Sequence, residues 1–327
     1  MATVVCFSPV PSPVLGQWLV AQSGQAGLKV ASIDECGGAT WEETLASAEV
    51  ALGDYTFQHR IDDALLARIP NLRFVQQPSV GYQHINLEAC RQRGVLVANT
   101  PGVNSTAVAE HTLMVALAML RRLVLANELT HSGRWAQHEL MWEHGVCELA
   151  GKTFGIVGLG SVGREVARRL SPFNVQALYF DPIRAAADVE HQLGVTYKPL
   201  DHLLKLSDVV SLHVPLTEQT RRLIGERQLE LMKFNAILIN VARGECVDEQ
   251  ALATRLRANK LGGAAVDVFS EEPISPQHPL LGLKNALLTP HLAGATNEVR
   301  ERVVHMAVEN MVRVLKGEWP QFVLNGG

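Results

Sequence analysis

Three segments carry side chains that could work on one small substrate. Arg243 lies in Asn240-Val241-Ala242-Arg243-Gly244, Glu272 in Asp267-Val268-Phe269-Ser270-Glu271-Glu272-Pro273, and His291 in Thr289-Pro290-His291-Leu292-Ala293-Gly294. Each follows an apolar run that reads as a strand. That placement delivers all three to the carboxyl edge of a parallel sheet, where open α/β sheets bind ligands. A guanidinium is a planar, permanently charged fork that matches a carboxylate and can polarise an adjacent oxo group. An imidazole gives or takes a proton near neutral pH. A carboxylate on its other ring nitrogen favours the protonated ring and fixes its orientation. Together they suit the interconversion of a 2-oxo acid and its 2-hydroxy acid. Singly, an Arg-Gly after a strand is a solvated turn and a lone histidine is structural, so the argument rests on their joint occurrence.

A fourth segment supplies what that reaction lacks. Gly158-Leu159-Gly160-Ser161-Val162-Gly163 is a G-x-G-x-x-G between the apolar stretch Thr153–Val157 and an amphipathic one with Val162, Val166, Ala167 and Leu170 on one face. Gly158 permits the tight turn, Gly160 lets backbone approach a pyrophosphate, and Gly163 lets helix and strand pack closely. The helix start then offers free N–H groups and a positive dipole end to phosphates. Asp181 stands about 20 residues beyond the glycines, where an acidic side chain accepts from the adenosine ribose hydroxyls and a 2′-phosphate would meet a negative charge. The expected cofactor is NAD, although Arg184 nearby weakens the case against NADP.

At these residues the sequence resembles the D-isomer-specific 2-hydroxyacid dehydrogenase family, over nearly the whole chain from about Gly53 to Trp319. Further motifs that carry the resemblance are Ser79-Val80-Gly81-Tyr82, Asn99-Thr100-Pro101-Gly102, Val108-Ala109-Glu110 and His213-Val214-Pro215-Leu216-Thr217. It implies a NAD-dependent enzyme with Arg243, Glu272 and His291 as catalytic residues. It implies cofactor contacts from Gly158, Gly160, Ser161, Val162, Gly163, Asp181, His213, Pro215, Thr220, Val241, Ala242, Arg243, Asp267, His291 and Gly294. Asp267 would hold the nicotinamide amide. Substrate contacts would come from Ser79, Val80 and Gly81, through backbone N–H groups, and from Arg243 and His291. The chain departs from the family at Gln83 and Asn86, where Asp is common; both changes remove negative charge near the substrate loop. Phosphoglycerate dehydrogenase is the alternative within the family. Gln77 and Gly53-Asp54 stand where that group often carries basic residues, which disfavours a phosphorylated substrate. Glu272 argues against formate oxidation, which needs no proton on a substrate oxygen. The alternative of another class is a NAD-sensing, corepressor-like binding protein.

The elements that must position these groups alternate between short apolar runs and helical patterns, the signature of an α/β fold with parallel sheets. Five strand candidates lie before residue 99: Thr3–Phe7, Lys29–Ser32, Glu49–Leu52, Phe74–Gln76 and Val95–Ala98. Six follow residue 152: Thr153–Val157, Ala177–Phe180, Val209–His213, Ala236–Val241, Gly263–Val268 and Ala286–Leu288. Two doubly wound parallel-sheet domains are expected: a Rossmann NAD-binding domain over 103–291, inserted in a discontinuous flavodoxin-like substrate domain over 1–102 and 292–327. A helical stretch from Thr106 to Ser132, ended by Gly133, is apolar nearly all round in its first half. It is expected to be buried on several sides, and the family resemblance adds a homodimer built through it.

Composition bounds the rest. A formal net charge of -4 over 327 residues argues against a nucleic-acid surface. Five cysteines without a C-x-x-C argue against a disulfide framework. Prolines break the early apolar run and the longest apolar stretch, Leu113 to Leu120, is too short for a bilayer, so no membrane partner is expected and the expected location is cytoplasmic. His138, Glu143, His144 and Cys147 cluster without a recognised zinc spacing, and no metal is expected.

Overall fold

The computed structural model describes residues 2–24, 27–35 and 39–326. The chain divides into two compact units, Met1–Val103 with Asn297–Gly327, and Asn104–Thr296.

The first unit runs β1 (Thr3–Cys6), α1 (Ser12–Ser23), β2 (Lys29–Ser32), α2 (Ala39–Ser47), β3 (Ala48–Leu52), α3 (Asp63–Arg68), β4 (Phe74–Gln76), α4 (Leu87–Gln92) and β5 (Leu96–Ala98). Its five strands are all parallel, in the order β2-β1-β3-β4-β5. The buried residues of β1 alternate between two cores, as the period of a strand requires. Val4 and Cys6 pack with Leu15 and Leu19 of α1, while Val5 and, just past the strand, Phe7 pack with Trp41 and Leu45 of α2. Covering both faces with helices is the arrangement parallel sheets need. Asn86 caps α4 by accepting from the Ala89 N–H at 3.0 Å, so its amide serves a helix start.

The second unit begins with α5 (Ser105–Leu120), α6 (Leu123–His131) and α7 (Gln137–Trp142). It continues β6 (Thr153–Val157), α8 (Ser161–Leu170), β7 (Gln176–Phe180), α9 (Ala187–Leu193), β8 (Val195–Tyr197), α10 (Leu200–Leu206), β9 (Val209–Leu212), α11 (Glu226–Leu231), β10 (Ile237–Asn240), α12 (Glu249–Arg257), β11 (Gly263–Val266) and β12 (Ala286–Leu288). Seven parallel strands take the order β12-β11-β10-β9-β6-β7-β8. The order reverses at β6 and β9, which places the crevice of a doubly wound sheet between the turns that follow them. The strand β8 escapes sequence reading because it is three residues long and carries one apolar-polar alternation. The last helix, α13 (Asn297–Leu315), belongs to the first unit, where Val308 and Met311 join the core of β1 and α1.

The single helix expected over 106–132 is two. α5 ends at Leu120, and Arg122 adopts a left-handed φ of 51° before α6 begins. The Arg122 side chain donates to the carbonyls of His144 and Gly262, which fixes the break. Burial on several sides holds for α5, whose Ala109, Leu113, Val115, Ala116 and Met119 join the core beside β6 and α8. α6 has no buried residue. Among the described residues no helix is long and apolar enough to cross a membrane. Cys6, Cys90, Cys147 and Cys246 are free thiols, and Cys36 lies outside the described residues.

Candidate active site

The residues singled out in the second unit all follow strand carboxyl ends. The glycine turn follows β6, Asp181 follows β7, His213 to Thr220 follow β9, and Val241 to Arg243 follow β10. Asp267 follows β11, and His291 with Gly294 follows β12. One edge of one sheet therefore carries them.

His291 sits at φ 54°, a left-handed conformation costly for a non-glycine residue. Asp267 makes it affordable. Only 1% exposed, its carboxylate accepts from Thr289 Oγ1 at 2.5 Å, Leu292 N at 2.8 Å and Ala293 N at 2.9 Å, and its carbonyl accepts from His291 N at 2.8 Å. These bonds over-determine the turn and aim the imidazole. Sequence reading placed Asp267 at the nicotinamide amide; what its carboxylate does in the structure is hold the 289–293 segment. The same bonds keep 292–296 with the second unit. His291 Nδ1 pairs with Glu272 Oε2 at 2.7 Å, and Nε2 has no partner among the described residues. The other oxygen of Glu272 accepts from Phe269 N at 2.9 Å. Burial alone would raise the Glu272 carboxyl. The hydrogen bonds from His291 and Phe269, with the charges of His291 and Arg243, overcome this and hold it below the usual carboxylate range.

Arg243 is half-buried after β10, with Nη1 donating to the Ala242 carbonyl at 2.6 Å. Its backbone is held by Asn240, 1% exposed, whose amide donates to the Arg243 carbonyl at 2.9 Å and accepts from Ala242 N at 3.1 Å. Asn240 stood in the segment read from sequence but was given no task there; an amide on the last residue of a buried strand was the available signal. Gly244 explains the Arg-Gly pair. A Cβ there would lie 1.9 Å from the Phe269 carbonyl carbon and 2.1 Å from Ser270 N, so only glycine lets the Arg243 segment lie against the backbone leading to Glu272.

The glycine turn fits a dinucleotide. Gly158 has φ 95°, and a Cβ on it would meet the His213 carbonyl at 2.6 Å. A Cβ on Gly163 would lie 2.1 Å from the Gly158 carbonyl oxygen, so α8 packs on the turn more closely than any side chain permits. A Cβ on Gly160 meets nothing within 4 Å, which leaves open space before the helix start where a pyrophosphate belongs. Ser161 and Val162 open α8, and their N–H groups have no intrahelical acceptor. Asp181 ties the turn to β7 by accepting from Leu159 N at 2.9 Å and Ile183 N at 3.1 Å. Each of its oxygens keeps a lone pair for a ribose hydroxyl.

The loop after β9 is built on its own hydrogen bonds. Thr220 Oγ1 donates to the Pro215 carbonyl at 2.6 Å and accepts from Thr217 N at 2.7 Å, so its hydroxyl shapes the loop. His213 Nε2 pairs with Ser211 Oγ at 2.8 Å, while Nδ1 is buried without a partner. Burial pushes this imidazole down to about 3 and keeps it neutral. Gly294 packs beside the Asn104 side chain.

Ser79, Val80 and Gly81 belong to the first unit, in the loop after β4. Their carbonyls are all taken, by Thr100 N at 3.2 Å, Asn99 Nδ2 at 2.8 Å and Ser79 Oγ at 2.8 Å. The N–H groups of Val80 and Gly81 meet no acceptor among the described residues. Gln77, fully buried, donates from Nε2 to Ser79 Oγ at 2.7 Å and fixes the hydroxyl that orders the loop.

The fold and the strand-end constellation define a dinucleotide-dependent oxidoreductase. Residues 113–293 match the family model described as D-isomer specific 2-hydroxyacid dehydrogenase, NAD binding domain. The chain is 44% identical over 267 residues to a glyoxylate reductase of Korarchaeum cryptofilum, covering 81% of this chain and 80% of that protein. It is 43% identical over 290 residues to a glyoxylate reductase of Aeropyrum pernix, covering 87% and 86%. The crystal structure of D-lactate dehydrogenase from Aquifex aeolicus, complexed with NAD and lactic acid, superposes with a TM-score of 0.85 at 29% identity over 99% of both chains. The chain belongs to the D-isomer specific 2-hydroxyacid dehydrogenase family and is a NAD-dependent enzyme of it.

Proposed function

We propose that the enzyme reduces a small, unphosphorylated 2-oxo acid, with glyoxylate the leading candidate, to its 2-hydroxy acid (the D form wherever C2 becomes a stereocentre), and runs the reverse reaction when the products are supplied. The observation that carries this reading is the 2.7 Å pair between His291 Nδ1 and Glu272 Oε2, which leaves Nε2 as the ring nitrogen free to serve a substrate. Bound NADH supplies the hydride. Arg243 binds the substrate carboxylate and draws electron density from the oxo oxygen, and the Val80 and Gly81 N–H groups add donors to the carboxylate. His291 gives a proton from Nε2 to the oxygen as it gains charge, and takes it back in oxidation. Glu272 stays ionised, keeps the proton on Nδ1 and stabilises the charged ring. The glycine turn, Ser161 and Val162 bind the pyrophosphate, Asp181 the adenosine ribose, and the backbone of Val241 and Ala242 with the 213–220 loop flanks the cofactor. Gln77 is neutral, so at its place beside Ser79 it offers no cation to a substrate phosphate.

A homodimer is part of the proposal. Met114 on α5, Leu123 and Val124 on α6, Trp135 before α7, and Met141 and Trp142 on it are exposed apolar side chains, more than scattered surface residues would give. Light scattering should report a dimer, and a monomer would remove this part.

NADH oxidation with glyoxylate, pyruvate, hydroxypyruvate, phenylpyruvate and 3-phosphohydroxypyruvate tests the substrate reading. Glyoxylate should give the highest kcat/KM. Absence of turnover across the panel, or preference for the phosphorylated acid, would overturn it. Arg243→Ala should raise KM and lower kcat together, and normal kinetics would remove Arg243 from its role.

A further inference from the structure

Beyond Asp181, the neighbourhood of the adenosine ribose holds a cation that binds phosphate well in other settings. Arg184 follows the turn that Asp181 makes with the Ile183 N–H. In dinucleotide sites an arginine near this position accommodates a 2′-phosphate. Here its fork is engaged elsewhere. Nε donates to Glu190 Oε1 at 2.8 Å and Nη2 to Glu190 Oε2 at 3.0 Å, a bidentate pair. The guanidinium also lies over the Tyr197 ring, 5.5 Å from its centroid.

The pair is built into the fold from below. Glu190 Oε1 accepts from the hydroxyl of Tyr179 at 2.6 Å. Tyr179 is fully buried in β7, and its hydroxyl accepts from Ala185 N at 3.0 Å, which pins the backbone next to Arg184. Tyr179 and Tyr197 meet edge to face at 5.5 Å. Arg184 is 64% exposed, but its partner is only 13% exposed, so the carboxylate is fixed and the arginine comes to it. The hydrogen bonds from Arg184 and then Tyr179 hold the Glu190 carboxyl down at about 2, ionised at any working pH.

We infer that Glu190 is a specificity-determining residue for NAD over NADP, acting by sequestering Arg184 in a bidentate pair so that the guanidinium is withheld from a 2′-phosphate. A 2′-phosphate arriving beside Asp181 meets a second carboxylate and an arginine whose charge is already paired and whose Nε–Nη2 edge is occupied. This deepens the placement of the adenosine ribose at Asp181 and rests on it, but the two claims have separate tests.

The experiment measures inhibition by 2′,5′-ADP and by 5′-AMP, both competing with NADH, in the full-length enzyme. The readout is the ratio of the two inhibition constants, which a general loss of stability does not move. Glu190→Gln keeps a partner for Tyr179 and removes the charge. It should shift the ratio toward 2′,5′-ADP on the order of fivefold to tenfold, the worth of one exposed charge-assisted contact to phosphate. Adding Arg184→Ala should abolish the gain. An unchanged ratio in Glu190→Gln overturns the inference, and so does a gain that persists without Arg184, because the effect would then be charge alone. Should Glu190→Gln not fold, Arg184→Lys loosens the pair from the other side. A lysine cannot bridge both oxygens, and a ratio like that of the parent enzyme would be equally fatal. Asp181→Ala is the separate arm: an unmoved ratio there, with the expected gain in Glu190→Gln, removes the Asp181 contact to the ribose hydroxyls but leaves the ribose placed at this end of the sheet beside Arg184.

Discussion

His213 makes the stability of this enzyme sensitive to mild acid, by an amount the structure allows to be worked out. Its ring pairs with Ser211 through Nε2, its Nδ1 is buried without a partner, and burial lowers its pKa from 6.5 to about 3. The unfolded chain therefore binds a proton at this ring as pH falls below about 6.5, while the folded chain does not. Stability is lost through that window, down to the depressed folded value. Between about pH 7.5 and about pH 5 the loss is ~2 kcal/mol, at 1.36 kcal/mol per unit below the unfolded pKa. His84 and His111 are also lowered by burial and act in the same direction. The perturbation that isolates His213 is His213→Gln, which keeps a polar partner for Ser211 and cannot titrate. Urea unfolding of parent and variant at both pH values, with the slope checked for constancy, gives the difference of differences. The variant will start lower at neutral pH, having lost packing, and should lose ~2 kcal/mol less than the parent on acidification. Parallel losses in the two proteins would refute the reasoning, since the ring would then take up its proton in the folded state as well.

The active site yields further expectations. His291→Ala should lower kcat on the order of a hundredfold to ten-thousandfold while NADH titration by fluorescence stays near normal; unchanged turnover would strip the ring of its role. Glu272→Gln should cost on the order of tenfold in kcat/KM for 2-oxo acid reduction, because the ring loses its anionic partner. A kcat/KM equal to the parent's would count against the pair. Gly244→Ala places a methyl carbon 1.9 Å from the Phe269 carbonyl carbon. It should destabilise by about 1–3 kcal/mol or more in thermal unfolding and lower kcat by moving Arg243; a fully active, equally stable variant would mean the contact is soft.

Much of the fold was legible because its signals are local and repeated. Buried parallel strands read as short apolar runs, and Val4 to Cys6 or Ile237 to Asn240 can be little else between turn residues. The misses have physical causes. The break between α5 and α6 lies at Arg121 and Arg122, residues with good helix propensity. What ends the helix is a left-handed φ at Arg122, held by carbonyls at His144 and Gly262, far along the chain. A window of sequence contains no trace of those acceptors. Asn86 shows the same limit in another form. As a departure from an expected Asp near the substrate loop it looked like a change of pocket charge, yet its oxygen caps α4, a task Asn and Asp perform alike.

The candidate site was legible in its reacting groups and hidden in what holds them. Arg243, Glu272 and His291 could be picked out because guanidinium, carboxylate and imidazole announce their chemistry by type, and the strands before them say which edge they reach. The geometry is set by groups of less distinctive type. Asp267, expected at the nicotinamide amide, also holds a turn: its carboxylate accepts from Thr289, Leu292 and Ala293. Those bonds are what let His291 occupy φ 54°. Without them the residue would relax toward the ordinary right-handed or extended regions, and the ring would leave Glu272. Gly244 works by absence: only a missing Cβ brings the Arg243 backbone against Phe269 and Ser270, so that Arg243's charge is felt at Glu272. Asn240 then closes the loop back on Arg243. Each of these residues acts through backbone, and backbone geometry is the property that residue type encodes least. The reacting triad is thus readable one residue at a time, while its preorganisation is a property of the three strand-end turns packed together.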